Sequence, residues 1–179
     1  TKRVEQWMLR DADGLVTLTE AIRPILREFP GLRARTAAPA WEVIPCCVDV
    51  DRFAAASDPS GAGASAGRLT VAYVGSIGTW YLCDEMVAFF QQLLARRPDA
   101  RFLVVTPEPQ RAAAHRLMRA HPGLEAHVTI VSSTPEAVPQ HLATAQAGLA
   151  FIRPAFSKQF SSPTKIGEYL ASGMPVVVN

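Results

Sequence analysis

The sequence has few of the features that would classify it at once. It holds only three cysteines, Cys46, Cys47 and Cys83. An odd count without regular spacing excludes a disulfide framework and suits a reducing compartment. The adjacency of Cys46 and Cys47 argues against a bond between them. No CxxC or Cys/His spacing is present, so no metal site is expected. Charged residues make up 19% of the chain and the net charge is +2. That is too mild for the clustered basic face nucleic acid requires. No apolar run approaches the roughly 18 residues of a membrane span. The N-terminal "TKRVEQWMLRDADG" lacks the apolar core of a signal peptide. A soluble cytoplasmic protein without nucleic-acid partners is expected, with peripheral membrane contact left open. A full dinucleotide fingerprint is also missing, since only a GxxG remains of it.

What is there is a chain of 179 residues, 49% of them hydrophobic, enough for one domain and a little more. The first 40 residues are irregular. The first dozen residues read as a helix, "GLVTLTE" as a strand, "AIRPILREF" as a helical turn broken at Pro24, and "WEVIP" as a strand. "AAASDPSGAGASAG" has no periodicity and reads as a flexible loop.

From Arg68 the pattern is regular. The strands "LTVAYVG", "ARFLVVT", "AHVTIVS", "AGLAFIRP" and "PVVVN" alternate with helices. The first helix has Asp84 as its N-cap and Met86, Phe90, Leu93 and Leu94 as its apolar stripe. The last is "PTKIGEYLASG", closed by Gly173. Strands this apolar do not face water, so the alternation predicts a doubly wound, parallel α/β sheet. Ligands of such sheets bind at the carboxyl ends of the strands. Ending on a buried-type strand leads us to expect that the natural protein continues and that the C-terminal end of the fold is truncated here.

Three segments are candidate ligand contacts. In "SSPTKIGEYLASG", Ser162 is expected as N-cap and Pro163 as the first helical residue. The free amides of Thr164 and Lys165 would then face an anion, helped by the hydroxyls of Ser161, Ser162 and Thr164 and by the Lys165 charge. Ile166, Tyr169 and Leu170 are expected against the sheet, with Thr164, Lys165 and Glu168 on the opposite side. A carboxylate at Glu168 can accept two hydrogen bonds from ribose hydroxyls. A well-capped surface helix with a solvated Glu fits the pattern equally well. The second segment is "YVGSIGTWY", where Gly75, Ser76 and Gly78 allow close approach of backbone to phosphate. The third is "FIRPAFSKQF", with Arg153 and Lys158 after a strand; two solvated basic side chains are the more economical reading there. No histidine has a metal-ligand neighbour at useful spacing, and no catalytic residue is identified.

Four segments together resemble the retaining glycosyltransferases of the GT-B fold, family 4 or group 1. "ADGLVTLTE" is similar to the segment ending that family's acceptor domain, and "VIPCCVDVDRF" to the one opening its donor domain. "VAYVGSIG" is similar to the first donor-domain strand and glycine loop, and "SPTKIGEYLASGMPVV" to the donor helix. The resemblance implies a Rossmann-like half of a GT-B fold. Residues 1–40 would be the end of the acceptor domain and a linker, and 41–179 an incomplete nucleotide-sugar donor domain. It implies a UDP- or GDP-type donor, a glycan, lipid or small-molecule acceptor, and no metal or other cofactor. It assigns Glu168 to the ribose, the amides of Thr164 and Lys165 to phosphate, and Gly75 to the strand-end glycine.

Two departures stand out. Where many members carry a first Glu near the sugar, this chain has Phe160. Where many carry an Arg–Lys pair after the first donor strand, it has Ser76 and "TWYLCDE". The expectation is a glycosyltransferase fragment that binds donor and is inactive alone. The alternatives are a GT-B-like sugar-nucleotide epimerase or hydrolase, and a non-catalytic α/β interaction module.

Overall fold

A computed structural model of the chain describes residues 2–56, 67–78 and 80–179. Most of the expected flexible loop, residues 57–66, lies outside the described residues. The chain forms two compact units. One comprises residues 1–47 and 154–163, the other 48–153 and 164–179. Their division differs from the sequence boundary at 40/41 by the second strand and by the segment 154–163.

In the first unit, α1 (Lys2–Asp11) leads to β1 (Gly14–Thr17), α2 (Arg23–Arg27), α3 (Pro30–Arg33) and β2 (Ala40–Val43). β1 and β2 pair in parallel, Gly14 opposite Ala40 through Thr17 opposite Val43. Pro24 lies in the first turn of α2 and opens that helix instead of breaking it, because an N-terminal proline forfeits no intrahelical bond. The Arg35 guanidinium donates to the carbonyls of Leu9, Arg10 and Ala12, which satisfies acceptors at the end of α1. Arg23 stacks over the Trp41 ring at 5.5 Å and donates to the Trp41 carbonyl at 2.7 Å.

The second unit is the α/β layer structure. α4 (Val50–Ala56) precedes β3 (Thr70–Val74), α5 (Cys83–Arg96), β4 (Arg101–Thr106), α6 (Glu108–Arg119), β5 (Val128–Ser132), α7 (Val138–Leu142), β6 (Ala147–Ala150), α8 (Thr164–Ala171) and β7 (Val176–Val178). The five strands form one parallel sheet in the order β5-β4-β3-β6-β7. Growth runs outward from β3 in one direction and then from β6 in the other. The doubly wound expectation holds, with its switch point between β3 and β6.

Strand alternation divides the core into two clusters. Val71, Tyr73, Phe102 and Val104 pack with Met86, Val87 and Phe90 of α5 and Met118 of α6. Ala72, Val74, Leu103 and Val105 pack with Phe53, Leu142 and Tyr169. The stripe expected on α5 is correct for Met86 and Phe90, which are fully enclosed, while Leu93 and Leu94 lie at its margin. Asp84 is not the N-cap: α5 starts at Cys83, Leu82 precedes it, and no side chain caps it. The helix is held instead by apolar burial along its length.

The switch point is opened by one side chain. β3 and β6 pair only at Val71–Ala147 and Ala72–Gly148. Beyond that the Tyr169 hydroxyl accepts the Val74 N–H at 2.9 Å and donates to the Leu149 carbonyl at 3.2 Å. It takes the place of ladder bonds between the diverging strands. Its ring lies so close on Gly148 that a β-carbon there would fall against the ring atoms. Tyr169→Phe keeps the packing but leaves a buried N–H and C=O unpaired. A loss of about 1–3 kcal/mol of unfolding free energy is expected, read from urea denaturation. An unchanged midpoint would show that the hydroxyl does not hold the strands.

Candidate functional site

The end of β3 turns at Gly75, whose φ of +142° few other residues tolerate. The following loop is tied down by its own protein. The Gly75 N–H donates to the Val105 carbonyl at 2.9 Å, the Ile77 N–H to Gln110 Oε1, and the Gly78 N–H to Cys83 Sγ at 3.4 Å. Tyr73 Oη donates to the Ser76 carbonyl at 2.6 Å. The glycine loop therefore offers a ligand close approach more than a row of free amides. Gly78, with φ of +83°, faces open space.

Over this turn sits Lys165. It was expected on the outer face of α8 beside Thr164 and Glu168, but it is only 6% exposed. The reason is helical spacing. Lys165 lies four residues before Tyr169, which is fully buried, so the two share the inward face. Leu170, expected against the sheet, is correspondingly 61% exposed. The helix starts at Thr164, one residue later than expected.

The Lys165 ammonium lies 4.2 Å from the Tyr73 ring centroid and 3.4 Å from that of Tyr81. Among the described residues it is buried with no hydrogen-bond partner. A β-carbon on Gly75 would come within 2.7 Å of Nζ, so glycine there makes room for the cation as well as for the turn. Tyr81 is fixed by an antiparallel bridge to Ile152, flanked by bonds from Leu82 N–H to the Phe151 carbonyl and from Arg153 N–H to the Trp80 carbonyl.

Burial pushes the Lys165 amine down to about 7, with Cys83 and Glu168 opposing part of the shift. Burial also raises the Glu168 carboxyl above its ordinary range, with Lys165 and Arg52 pulling against it. Cys83 is raised by burial as well. The Lys165 amine thus lies among two phenols at the carboxyl edge of β3, with the Cys83 thiol and the Glu168 carboxyl in electrostatic reach. Such clustering of shifted groups marks functional sites.

The structure gathers Gly75, Ser76, Gly78, Lys165 and Glu168 in one unit, with Thr164 exposed at the start of α8. Ser161 and Ser162 belong to the other unit. There Ser161 Oγ donates to the Lys158 carbonyl at 2.8 Å and Ser162 Oγ accepts the Cys46 N–H at 3.2 Å. Arg153 is exposed. Sequence reasoning missed Tyr73 and Tyr81. The available signal was their position, one ending the first apolar strand and one following its glycine loop. No group of three or more metal-ligating side chains occurs among the described residues.

The profile of the family described as glycosyl transferases group 1 matches residues 68–179, well over half of the chain. The chain belongs to the group 1 glycosyltransferases. No curated protein matches it. Among solved structures, this glycosyltransferase chain is similar to the pneumococcal O-GlcNAc transferase GtfA in complex with UDP and GlcNAc, with a TM-score of 0.67 at 14% identity over 96% of the chain. It is similar to TarM, known also from S. aureus, with a TM-score of 0.64 at 14% identity over 98% of the chain. It is also similar to WaaG, a glycosyltransferase involved in lipopolysaccharide biosynthesis, with a TM-score of 0.59 at 18% identity over 92% of the chain. The chain spans 31%, 32% and 43% of those proteins. These likenesses establish the fold, a Rossmann-like half of GT-B architecture. No helix among the described residues is long and apolar enough to cross a membrane.

The buried amine gives this glycosyltransferase domain a pH signature. The unfolded chain holds the Lys165 proton up to about 10.5, while the folded chain releases it from about 7. The unfolded state therefore binds more protons in that window, and stability rises with pH. Urea midpoints should climb between pH 7 and 8.5, below the ordinary thiol range, and Lys165→Met should flatten the climb. A slope surviving in Lys165→Met would assign it to other groups.

Proposed function

We propose that this domain binds a nucleoside-diphosphate sugar and that the whole protein transfers the sugar, with retention, to an acceptor hydroxyl. The observation carrying the reading is the Lys165 amine, buried beside the Gly75 turn and, among the described residues, without a hydrogen-bond partner. An unpaired buried cation is costly on its own, and an anionic oxygen is the partner it lacks. The first amides of α8, which no helix satisfies internally, point the same way. In this reading Glu168, one turn further along α8, accepts hydrogen bonds from the ribose hydroxyls. In support, a structurally similar enzyme is described in complex with UDP and GlcNAc, and another in complex with UDP.

In the proposed reaction the bond from the anomeric carbon to the diphosphate breaks. The acceptor oxygen bonds to that carbon on the same face, and its proton leaves with the nucleoside diphosphate. The role of the domain is electrostatic: Lys165 and the helix start stabilise charge gathering on the departing diphosphate. A glycan, lipid or small molecule carries the accepting hydroxyl. The proposed location is cytoplasmic, with peripheral membrane contact when the acceptor is a lipid.

Calorimetric titration with UDP and with GDP tests the reading. One of them should bind in the micromolar to millimolar range. A diphosphate favours protonated Lys165, so binding takes up a proton and affinity should fall above pH 7, by up to about tenfold per unit. Lys165→Met should weaken binding roughly tenfold to a hundredfold and abolish the pH slope. Glu168→Ala should weaken it about tenfold, equally at every pH above the carboxylate range. Absence of heat with both nucleotides would refute a donor site.

A further inference from the structure

Cys46 and Cys47 take no part in the site described above. They lie in the segment between β2 and α4, which has neither helix nor strand, and both are exposed free thiols. The segment is anchored locally. The Cys46 N–H donates to Ser162 Oγ at 3.2 Å, and the Cys47 thiol donates to the Pro45 carbonyl at 3.4 Å. Cys47 is also the last residue of its unit, since the chain enters the other unit at Val48.

Two adjacent thiols constrain what can join them. Neighbouring α-carbons are about 3.8 Å apart across a trans peptide, shorter than the roughly 4.4 Å minimum of ordinary disulfides. A direct S–S bond is therefore strained. A centre inserted between the sulfurs relieves the strain, because bonds of about 2.3 Å, as in metal–thiolate pairs, let the sulfurs stand apart. The described residues supply no third His, Cys, Asp or Glu to complete a metal-binding group. A closed four-ligand zinc site is thereby disfavoured, and the fitting occupant is a soft centre satisfied by two sulfurs.

We propose that Cys46 and Cys47 form a two-thiol binding site for a trivalent arsenic centre. With an aryl arsenic(III) oxide, two S–H bonds break and two As–S bonds form. The oxide oxygen leaves as water with both protons, and no oxidation state changes. The product is a small ring closed over the Cys46–Cys47 peptide, which fixes its torsions where the chain passes between units. The site is independent of the donor-binding reading.

The test adds one equivalent of phenylarsine oxide to the chain, challenges it with excess glutathione or with dithiothreitol, and reads intact mass. The wild type should carry one adduct that survives glutathione, a monothiol, and is removed by dithiothreitol. Cys46→Ser and Cys47→Ser, both exposed replacements, should each lose the adduct to glutathione. Removal from the wild type by glutathione as readily as from either variant would overturn the proposal. So would a glutathione-resistant adduct in the double variant, which keeps only the buried Cys83.

Discussion

A lysine ammonium held between two tyrosine rings at the end of a β-strand is the constraint around which this domain is arranged. Removing a cation from water is costly, and two aromatic faces return only part of that cost. The remainder shows in the amine itself, which burial pushes down to about 7. Tyr73 is locked by its bond to the Ser76 carbonyl, and Tyr81 by the bridge to Ile152. Gly75 leaves the space that any β-carbon would take from the amine. A leucine at 165 would pack there at no electrostatic cost.

This chain lacks the Arg–Lys pair implied by family resemblance, and its buried amine at the same end of the sheet comes from a different element. The position after β3 is given to Ser76 and a loop whose described amides are largely consumed internally. The charge arrives from α8, across the switch point, where Tyr169 has already spread β3 from β6. One helix thus contributes both devices. Tyr169 bonds both strands where their ladder stops, and Lys165, one turn earlier, brings an amine to the end of β3.

Much of this was legible in the residues. The apolar runs at 69–75, 100–106 and 147–150 marked strands buried on both faces, and Gly75 and Gly78 marked the turn. Lys165 and Glu168 were singled out as donor contacts, and in the structure both have pKa values shifted by burial. The inward face of α8 was misread because periodicity assigns apolar residues to the core, and Leu170 is more apolar than Lys165. Only tertiary context shows that the core ends there in two phenols able to hold a cation. Pro24 and Asp84 were misread for a related reason. Each is a strong local signal that fits two positions of a helix, and packing chose between them. The pairing of Cys46 with Ser162 spans more than a hundred residues, a separation no local pattern reports.

Fold similarity at 14% identity shows that the layer architecture tolerates wholesale exchange of side chains. What such exchange changes is chemistry. Where the family resemblance leads one to look for a carboxylate near the sugar, this chain carries Phe160, whose ring meets Phe156 edge to face at 5.4 Å. A phenyl ring cannot accept hydrogen bonds from sugar hydroxyls as a carboxylate does, and its apolar surface favours an apolar neighbour. In the proposed reading Lys165 on α8 stands in for the missing basic pair, but no carboxylate among the described residues stands in for the missing acid in the same way. Under the proposed donor-binding reading the two departures are therefore different in kind: at one a charge stands on another element, while at the other a phenyl ring stands where the family resemblance implies an acid.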